Sequence, residues 1–457
     1  MSRIQLVSAA CALALGGLAG IRSAAAQPIA GPTPPPPPSP RAPDVIVDID
    51  VGEPIMIADQ DGKAYIEIAI TGFESAGTRA PVNLALVIDR SGSMRGDRLE
   101  KAKTAALMVV DRLGPEDVLS VVTFDSNVEV LVPAGKVKDP AAIQRAIMAI
   151  SDRGQTALYD GVNTGLGQLR EHLVKTHVNR LILLSDGQAN VGPSSPAELA
   201  QLGVEAGKLG IPVTTIGLGL GYNEDLMTQL ALSSDGNHGF AETPGQLETI
   251  FANELGDVMS VVANDVIIEI ELAPGITPVR GLNRPISING RKAELKLNQI
   301  YGKQRKNVIV EVAVPKGAAG KTRKLADVKV AYRNLATKKT TKVAEPVTVA
   351  FDRSRAAVDK RANQRVMVGV TEALANERQK QAIALRDAGK REEAKKMLEA
   401  NAAYLRAEGR KRNSDKLDSF AAEAAADAEE VENDASWNAK RKGMTKSTHA
   451  KAASQSW

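Results

Sequence analysis

Three separated stretches of this chain end in residues that can hold a hard cation. In Leu84-Ala85-Leu86-Val87-Ile88-Asp89-Arg90-Ser91-Gly92-Ser93 an apolar run gives way to one carboxylate and two hydroxyls at alternate positions. Gly92 lets the backbone turn sharply, so Asp89, Ser91 and Ser93 can converge on one point as a cup of oxygen ligands. Read alone, the stretch equally suits an ordinary strand-to-helix loop with a serine cap. Arg153-Gly154-Gln155-Thr156 adds a hydroxyl just ahead of an expected helix, and Leu181-Ile182-Leu183-Leu184-Ser185-Asp186-Gly187 ends a second apolar run in a carboxylate.

These groups act together only if their elements bring them to one rim. The runs Asn83–Ile88, Val118–Phe124, Leu181–Leu184 and Ile211–Ile216 are short, continuous and bounded by polar turns, as strands buried on both faces should be. Between them, Arg98–Leu113, Ala157–Leu173, Pro196–Leu209 and Glu224–Ser233 read as amphipathic helices, with Leu247–Met259 as a closing helix. Val128–Val132 follows Val118–Phe124 closely and reads as an antiparallel edge strand. Alternating strand and helix imply a doubly wound sheet, in which ligands bind beyond the carboxyl ends of the strands where the strand order reverses. Asp89 and Asp186 then share that rim.

With those segments in place, the sequence from about Val82 to Val262 resembles a von Willebrand factor A domain with a complete metal-ion-dependent adhesion site. The resemblance implies that Ser91, Ser93 and Thr156 coordinate a divalent cation through hydroxyls, with Asp89 and Asp186 holding it directly or through water. Only two negative charges then surround the ion, leaving an open position for an Asp or Glu carboxylate of a partner protein. All-oxygen ligands favour Mg²⁺, Ca²⁺ or Mn²⁺ over Zn²⁺, and the compact cup suits Mg²⁺ best. The flanks resemble exported bacterial proteins with such a domain between β-rich and helical parts, a group also similar to inter-α-trypsin inhibitor heavy chains and calcium-activated chloride-channel regulators.

Outside the domain, Val45–Val51 and Ala64–Ile70 alternate as half-buried strands about a turn at Asp59–Gly62. Strands return at Val266–Leu272, Ala293–Leu297, Asn307–Val314, Ala326–Tyr332 and Val347–Phe351. An isolated hairpin is marginal in water, so residues 45–80 are expected to join residues 263–352 in one sandwich into which the A domain, residues 81–262, is inserted. Residues 353–434 form an α-helical C-terminal region with breaks at Gly389 and Gly409, and Gln381–Glu399 resembles one tetratricopeptide-like hairpin. The polar, basic residues 435–457 read as a disordered tail. The expected fold class is therefore α/β, a doubly wound Rossmann-like domain inserted in a β-sandwich and followed by helices.

The amino terminus reads as an export signal, residues 1–26: Arg3 is the positive start, Leu6–Leu18 is mostly apolar, and Ser23-Ala24-Ala25-Ala26 offers a cleavage site before Gln27. The apolar stretch is too short and too glycine-broken to span a bilayer. Periplasmic or secreted destinations follow, with no transmembrane segment after signal removal. Residues 27–44 form a Pro-rich linker. The single cysteine, Cys11, falls in the signal, so no disulfide is expected. Lipid modification of Cys11 is the rival reading, with an unusually short apolar core and Ser8 where an aliphatic residue is preferred.

Other chemistries find little support. Formal net charge is +4 over 457 residues with signs interspersed, which argues against nucleic acid. Gly217-Leu218-Gly219-Leu220-Gly221 follows a late strand and lacks a dinucleotide loop's spacing. His172 and His177 are five apart, off one helix face, with no cysteine to complete a zinc set. Neither a His-Glu-x-x-His motif nor a Gly-x-Ser-x-Gly elbow occurs, so a binding module is expected, not an enzyme. The alternative is a cell-envelope assembly factor whose metal site only stabilises the domain and whose helical tail makes the contacts.

Overall fold

Alternating apolar residues at the start of the chain form an antiparallel pair. In the computed structural model, which describes residues 44–74 and 79–455, β1 (Val45–Val51) pairs with β3 (Gly62–Gly72) from Val45 opposite Gly72 to Val51 opposite Ile66. The expected signal and all but the last residue of the Pro-rich linker lie outside the described residues. A short strand that the alternation did not announce, β2 (Ile55–Ile57), leaves this pair for another sheet.

The α/β unit follows. Its strands are β4 (Val82–Asp89), β5 (Val118–Phe124), β6 (Val128–Lys136), β7 (Val178–Ser185), β8 (Val213–Leu218) and β9 (His238–Ala241). Its helices are α1 (Asp97–Arg112), α2 (Pro140–Met148), α3 (Leu158–Glu171), α4 (Pro196–Lys208), α5 (Glu224–Ser233) and α6 (Leu247–Met259). The strand order is β6-β5-β4-β7-β8-β9, parallel throughout except for β6. Every residue of β4, β5, β7 and β8 is buried, which is why their sequences read as unbroken apolar runs. Within β4, Leu84, Leu86 and Ile88 pack toward α1 and α6, while Ala85 and Val87 pack toward α3. Each fully buried Leu or Ile stabilises the fold by roughly 1.5–3 kcal/mol.

Seven more strands complete a sandwich: β10 (Val261–Leu272), β11 (Thr277–Gly281), β12 (Ser287–Asn289), β13 (Lys292–Tyr301), β14 (Arg305–Val314), β15 (Thr322–Asn334) and β16 (Thr340–Asp352). One sheet has the order β1-β3-β14-β11 and the other β12-β13-β10-β15-β16-β2. Ile66, Ile68 and Ile70 share one core with Val266, Ile268, Val310 and Val328, so strands on both sides of the α/β unit bury a common interior. That unit is an insertion between β3 and β10. It is fastened to the sandwich by Arg180 at the start of β7, which donates to Glu254 of α6 at 2.8 Å and to Gln299 of β13 at 3.3 Å.

The C-terminal region comprises α7 (Arg355–Arg361), α8 (Gln364–Asp387), α9 (Arg391–Arg412), α10 (Asp415–Glu430) and α11 (Asp434–Ala453). Gly389, at φ +79°, stops α8 as expected. Gly409 does not break the helices: it lies inside α9, where a Cβ would strike Asp418 of α10. Asn413, left-handed at φ +50°, ends α9, and Ser414 caps α10. The expectation of a disordered tail at residues 435–457 is also corrected, since residues 434–453 form α11, docked on α5 and β9. The basic residues that suggested disorder are neutralised there: Arg441 pairs with Glu224, Asp225 and Asp387, Lys442 with Glu224, and Lys440 with Asp427.

Candidate metal centre

The strand order reverses at β4. From β4 the chain steps to β5 and β6 on one side, then returns to β7, β8 and β9 on the other. The adjacent carboxyl ends of β4 and β7 therefore open a crevice where helices diverge to opposite faces, the place at which doubly wound sheets bind ligands. Asp89 is the last residue of β4, and Ser185 and Asp186 lie at the end of β7.

Asp89 is fully buried and organises the crevice. Its Oδ1 accepts from the Ser91 backbone N–H at 2.8 Å, which fixes the turn after β4, and its Oδ2 accepts from the Ser185 hydroxyl at 2.6 Å. The turn brings the Ser91 and Ser93 hydroxyl oxygens to 3.1 Å from each other. Gly92 donates its N–H to the Gly154 carbonyl at 3.1 Å, and Arg153 donates to the Arg90 carbonyl at 2.8 Å, so the loop carrying Thr156 is tied to the serine loop. Thr156 is buried and joined to the third loop by its N–H, which donates to Asn190 Oδ1 at 2.8 Å. Asp186 is likewise buried, with one oxygen 3.4 Å from the Arg98 guanidinium, which also donates to the Ser93 carbonyl at 3.0 Å. Direct bonds link Asp89, Ser91 and Ser93; Thr156 joins through Gly154 and Asn190, and Asp186 through Arg98.

The residues present fit a divalent cation. Burial pushes the Asp89 carboxyl up to about 7 against the opposing bonds from Ser185 and Ser91, and the nearby Asp186 charge adds to the rise. Among the described residues no cationic side chain pairs with Asp89. A bound cation would supply the missing positive charge and restore the carboxylate. Two carboxylates and three hydroxyls form an all-oxygen donor set, which matches Mg²⁺, Ca²⁺ or Mn²⁺. No cluster of three or more His, Cys, Asp or Glu side chains with metal-holding geometry occurs among the described residues.

A supporting group was not legible in the three stretches. Asp125, just past β5 on the same rim, accepts from Arg90 Nε at 2.7 Å, Arg153 Nε at 3.0 Å and Asn127 N–H at 3.0 Å. Burial works to raise its carboxyl, and these bonds outweigh burial and hold it below the usual range. It clamps the residues that flank the serine and threonine loops. The only available signal was its position just past a buried strand, as with Asp186. The tempting glycines and histidines lead elsewhere. Gly219, at φ +74°, is a turn packed on Arg98, and His172, which contacts the Ala134 carbonyl and accepts from Asn83 near the start of β4, sits at the amino ends of the strands, away from the crevice.

Comparison with known proteins agrees with this fold. The profile of the von Willebrand factor type A domain matches residues 83–253. An uncharacterised protein of Synechocystis sp. is 33% identical over 196 residues, covering 43% of this chain and 46% of that protein. Inter-alpha-trypsin inhibitor heavy chain H3 of Homo sapiens is 32% identical over 169 residues, covering 35% of this chain and 19% of the heavy chain. This chain thus spans less than half the length of either relative. Among solved structures, a von Willebrand factor type A protein from Catenulispora acidiphila shares the fold at a TM-score of 0.67 and 17% identity, over 83% of this chain and 90% of that one. The ArnB paralog VWA2 from Sulfolobus acidocaldarius does so at 0.62 and 18%, over 89% and 98%. Both alignments reach well beyond the inserted unit, so the sandwich and helices belong to a shared architecture. By the sequence match over residues 83–253, this chain carries a von Willebrand factor type A domain, and the neighbouring structures share its fold.

Proposed function

We propose that the A domain holds a divalent cation, Mg²⁺ by preference, and presents it to an Asp or Glu side chain of a partner protein, so that the chain is an exported, metal-dependent binding module and not an enzyme. The observation that carries this reading is the buried carboxylate of Asp89, with no cationic partner, at the end of β4, where hydrogen bonds tie together the three loops that bear Ser91 and Ser93, Thr156, and Asp186. Ser91, Ser93 and Thr156 supply hydroxyls, and Asp89 and Asp186 supply the negative charge. Two carboxylates formally balance the ion's double charge, but five donor residues leave an ion of six or more ligands a coordination position that the partner carboxylate can take. Asp125, through Arg90 and Arg153, holds the loops in place before the ion arrives, which limits the ordering cost of binding.

Export rests on the amino-terminal pattern of residues 1–26, and no helix among the described residues is long and apolar enough to cross a membrane. Mass spectrometry of the protein from the producing cell tests this, with a mature start near Gln27 expected. Metal binding is tested by calorimetry with Mg²⁺, Ca²⁺ and Mn²⁺ on wild type and on an Asp89→Ala, Ser91→Ala double variant. A second reading, an envelope assembly factor contacting its partners through the helices, is favoured by the ordered packing of α8–α11. Partner capture that survives EDTA and the double variant would favour it.

A further inference from the structure

A cleft of about 410 Å³ adjoins the metal loop, and its two walls come from parts of the chain more than two hundred residues apart. One wall carries Gln188 and Asn190, directly after Asp186. Asn190 is the residue whose Oδ1 accepts the Thr156 N–H, and Gln188 donates its amide to the Gly221 carbonyl. The facing wall is α11. Asn438 donates to the Leu220 carbonyl at 3.1 Å, and Lys442 donates to the Tyr222 carbonyl at 2.7 Å while pairing with Glu224. Lys442 is only 3% exposed and lies 4.6 Å from the centre of the Tyr222 ring, so α11 is fixed against this loop.

The chemistry of the cleft is that of uncharged amides. Lys442 and Glu224 neutralise each other. Asn190 and Asn223 each spend their Oδ1 internally, on the N–H groups of Thr156 and Leu226, and their amide N–H₂ groups have no partner among the described residues. Asn438 spends its Nδ2 on Leu220, and its Oδ1 has none. Donors on one side and an acceptor on the other suit the alternating C=O and N–H groups of an extended polypeptide, which carries no charge of its own.

We infer that this cleft receives the residues flanking the partner's acidic side chain, which makes α11 a specificity element of the metal-dependent site. The inference rests on the proposed metal-dependent function. Asn438 and Leu220, both exposed, meet where α11 reaches the loop after β8, and their side chains border the cleft and set which peptide segment can enter.

The test uses the chain from Gln27 and a displayed library of random linear peptides with a fixed central Asp, selected in Mg²⁺ and counter-selected in EDTA. Selected peptides are then titrated against wild type, Asn438→Trp and Leu220→Trp, with Mg²⁺ affinity measured on all three. Trp at either position intrudes on the cleft from a solvent-facing site, one in the loop after β8 and the other on α11, so a folding defect in one variant does not remove the test. The expected result is unchanged Mg²⁺ affinity with peptide binding weakened roughly tenfold or more in both variants, as loss of several contacts would give. Peptides that bind both variants as tightly as wild type, with Mg²⁺ binding intact, would overturn the inference and leave the metal site standing. Mg²⁺ binding without any metal-dependent peptide would overturn the peptide as occupant. Absence of Mg²⁺ binding by folded wild type would remove the reading beneath the inference, and the inference with it.

Discussion

The Ser185 hydroxyl at the end of β7 donates to Asp89 at the end of β4 across 2.6 Å, binding the two strands at the point where the sheet reverses its order. Ser185 also accepts the Gly187 N–H at 2.8 Å, so one side chain connects the buried carboxylate to the loop bearing Asp186. Ser185→Ala removes both bonds inside a buried crevice. It should destabilise the metal-free protein by about 1–3 kcal/mol, measured by urea denaturation, and lower metal affinity through a looser Asp186 loop.

Arg98 places a positive charge beside the proposed cation, 3.4 Å from Asp186. Arg98→Gln removes that repulsion and keeps a donor for the Ser93 carbonyl. Because Arg98 is partly exposed, solvent screens the effect, and Mg²⁺ should bind roughly three- to tenfold tighter. Calorimetry checks this, and a weaker metal site in the variant would show that Arg98 serves mainly to shape the loop.

Arg180 and Glu254 are both fully buried where the A domain meets the sandwich. Glu254 also accepts from Thr214 at 2.6 Å and Asn237 at 2.9 Å, so its removal takes a bond from three donor residues, of which Asn237 keeps Asp257 and Arg180 keeps Gln299. Glu254→Ala leaves a guanidinium uncompensated in the interior and should cost about 3–5 kcal/mol. Denaturant midpoints read the loss, and a change under 1 kcal/mol would mean that water reaches the site.

His449 of α11 is 4% exposed, bonded to the Gly236 carbonyl, with its ring edge-on to His238 of β9 at 5.8 Å. Burial pushes its pKa down to about 4; Lys380 and Arg284 push the same way, and the Gly236 bond and Asp235 oppose them. The folded state therefore keeps His449 neutral while the unfolded chain takes up a proton near pH 6.5. Stability is fully present above about pH 6.5 and is lost as pH falls toward 4, by about 3 kcal/mol at most for this residue. His449→Gln should flatten the wild-type stability profile over that window, as read by urea midpoints at successive pH values.

Much of this architecture is legible in the sequence because burial writes itself into it. Strands covered on both faces read as apolar runs, and α5 and α6 begin and end where helix periodicity places them. Asp89 and Asp186 stand at the ends of such runs, with Ser91 and Ser93 in the turn after the first, so strand order carries these four to one crevice, while Thr156 stands just ahead of α3. What stayed hidden depends on partners far away in sequence. Asp125 looks like any loop carboxylate until Arg90 and Arg153 are seen to converge on it. Helix α11 looks like a solvated tail because its buried face mixes Lys442, Thr448 and His449 with Met444, Ala452 and Ala453 and so shows no continuous apolar stripe, and its cations are matched by Glu224 and Asp225 on α5. Gly409 signals a helix end by type, but it is there so that α9 and α10 can approach closely.

The proposed function requires the crevice between β4 and β7 to bind a divalent cation through Asp89, Ser91, Ser93, Thr156 and Asp186. The most direct measurement is Mg²⁺ titration by calorimetry of the chain from Gln27, beside the Asp89→Ala, Ser91→Ala double variant. Saturable binding at one site that the folded variant loses is the predicted result. No heat from a folded wild type at millimolar Mg²⁺, Ca²⁺ or Mn²⁺, or equal binding by the variant, would contradict it.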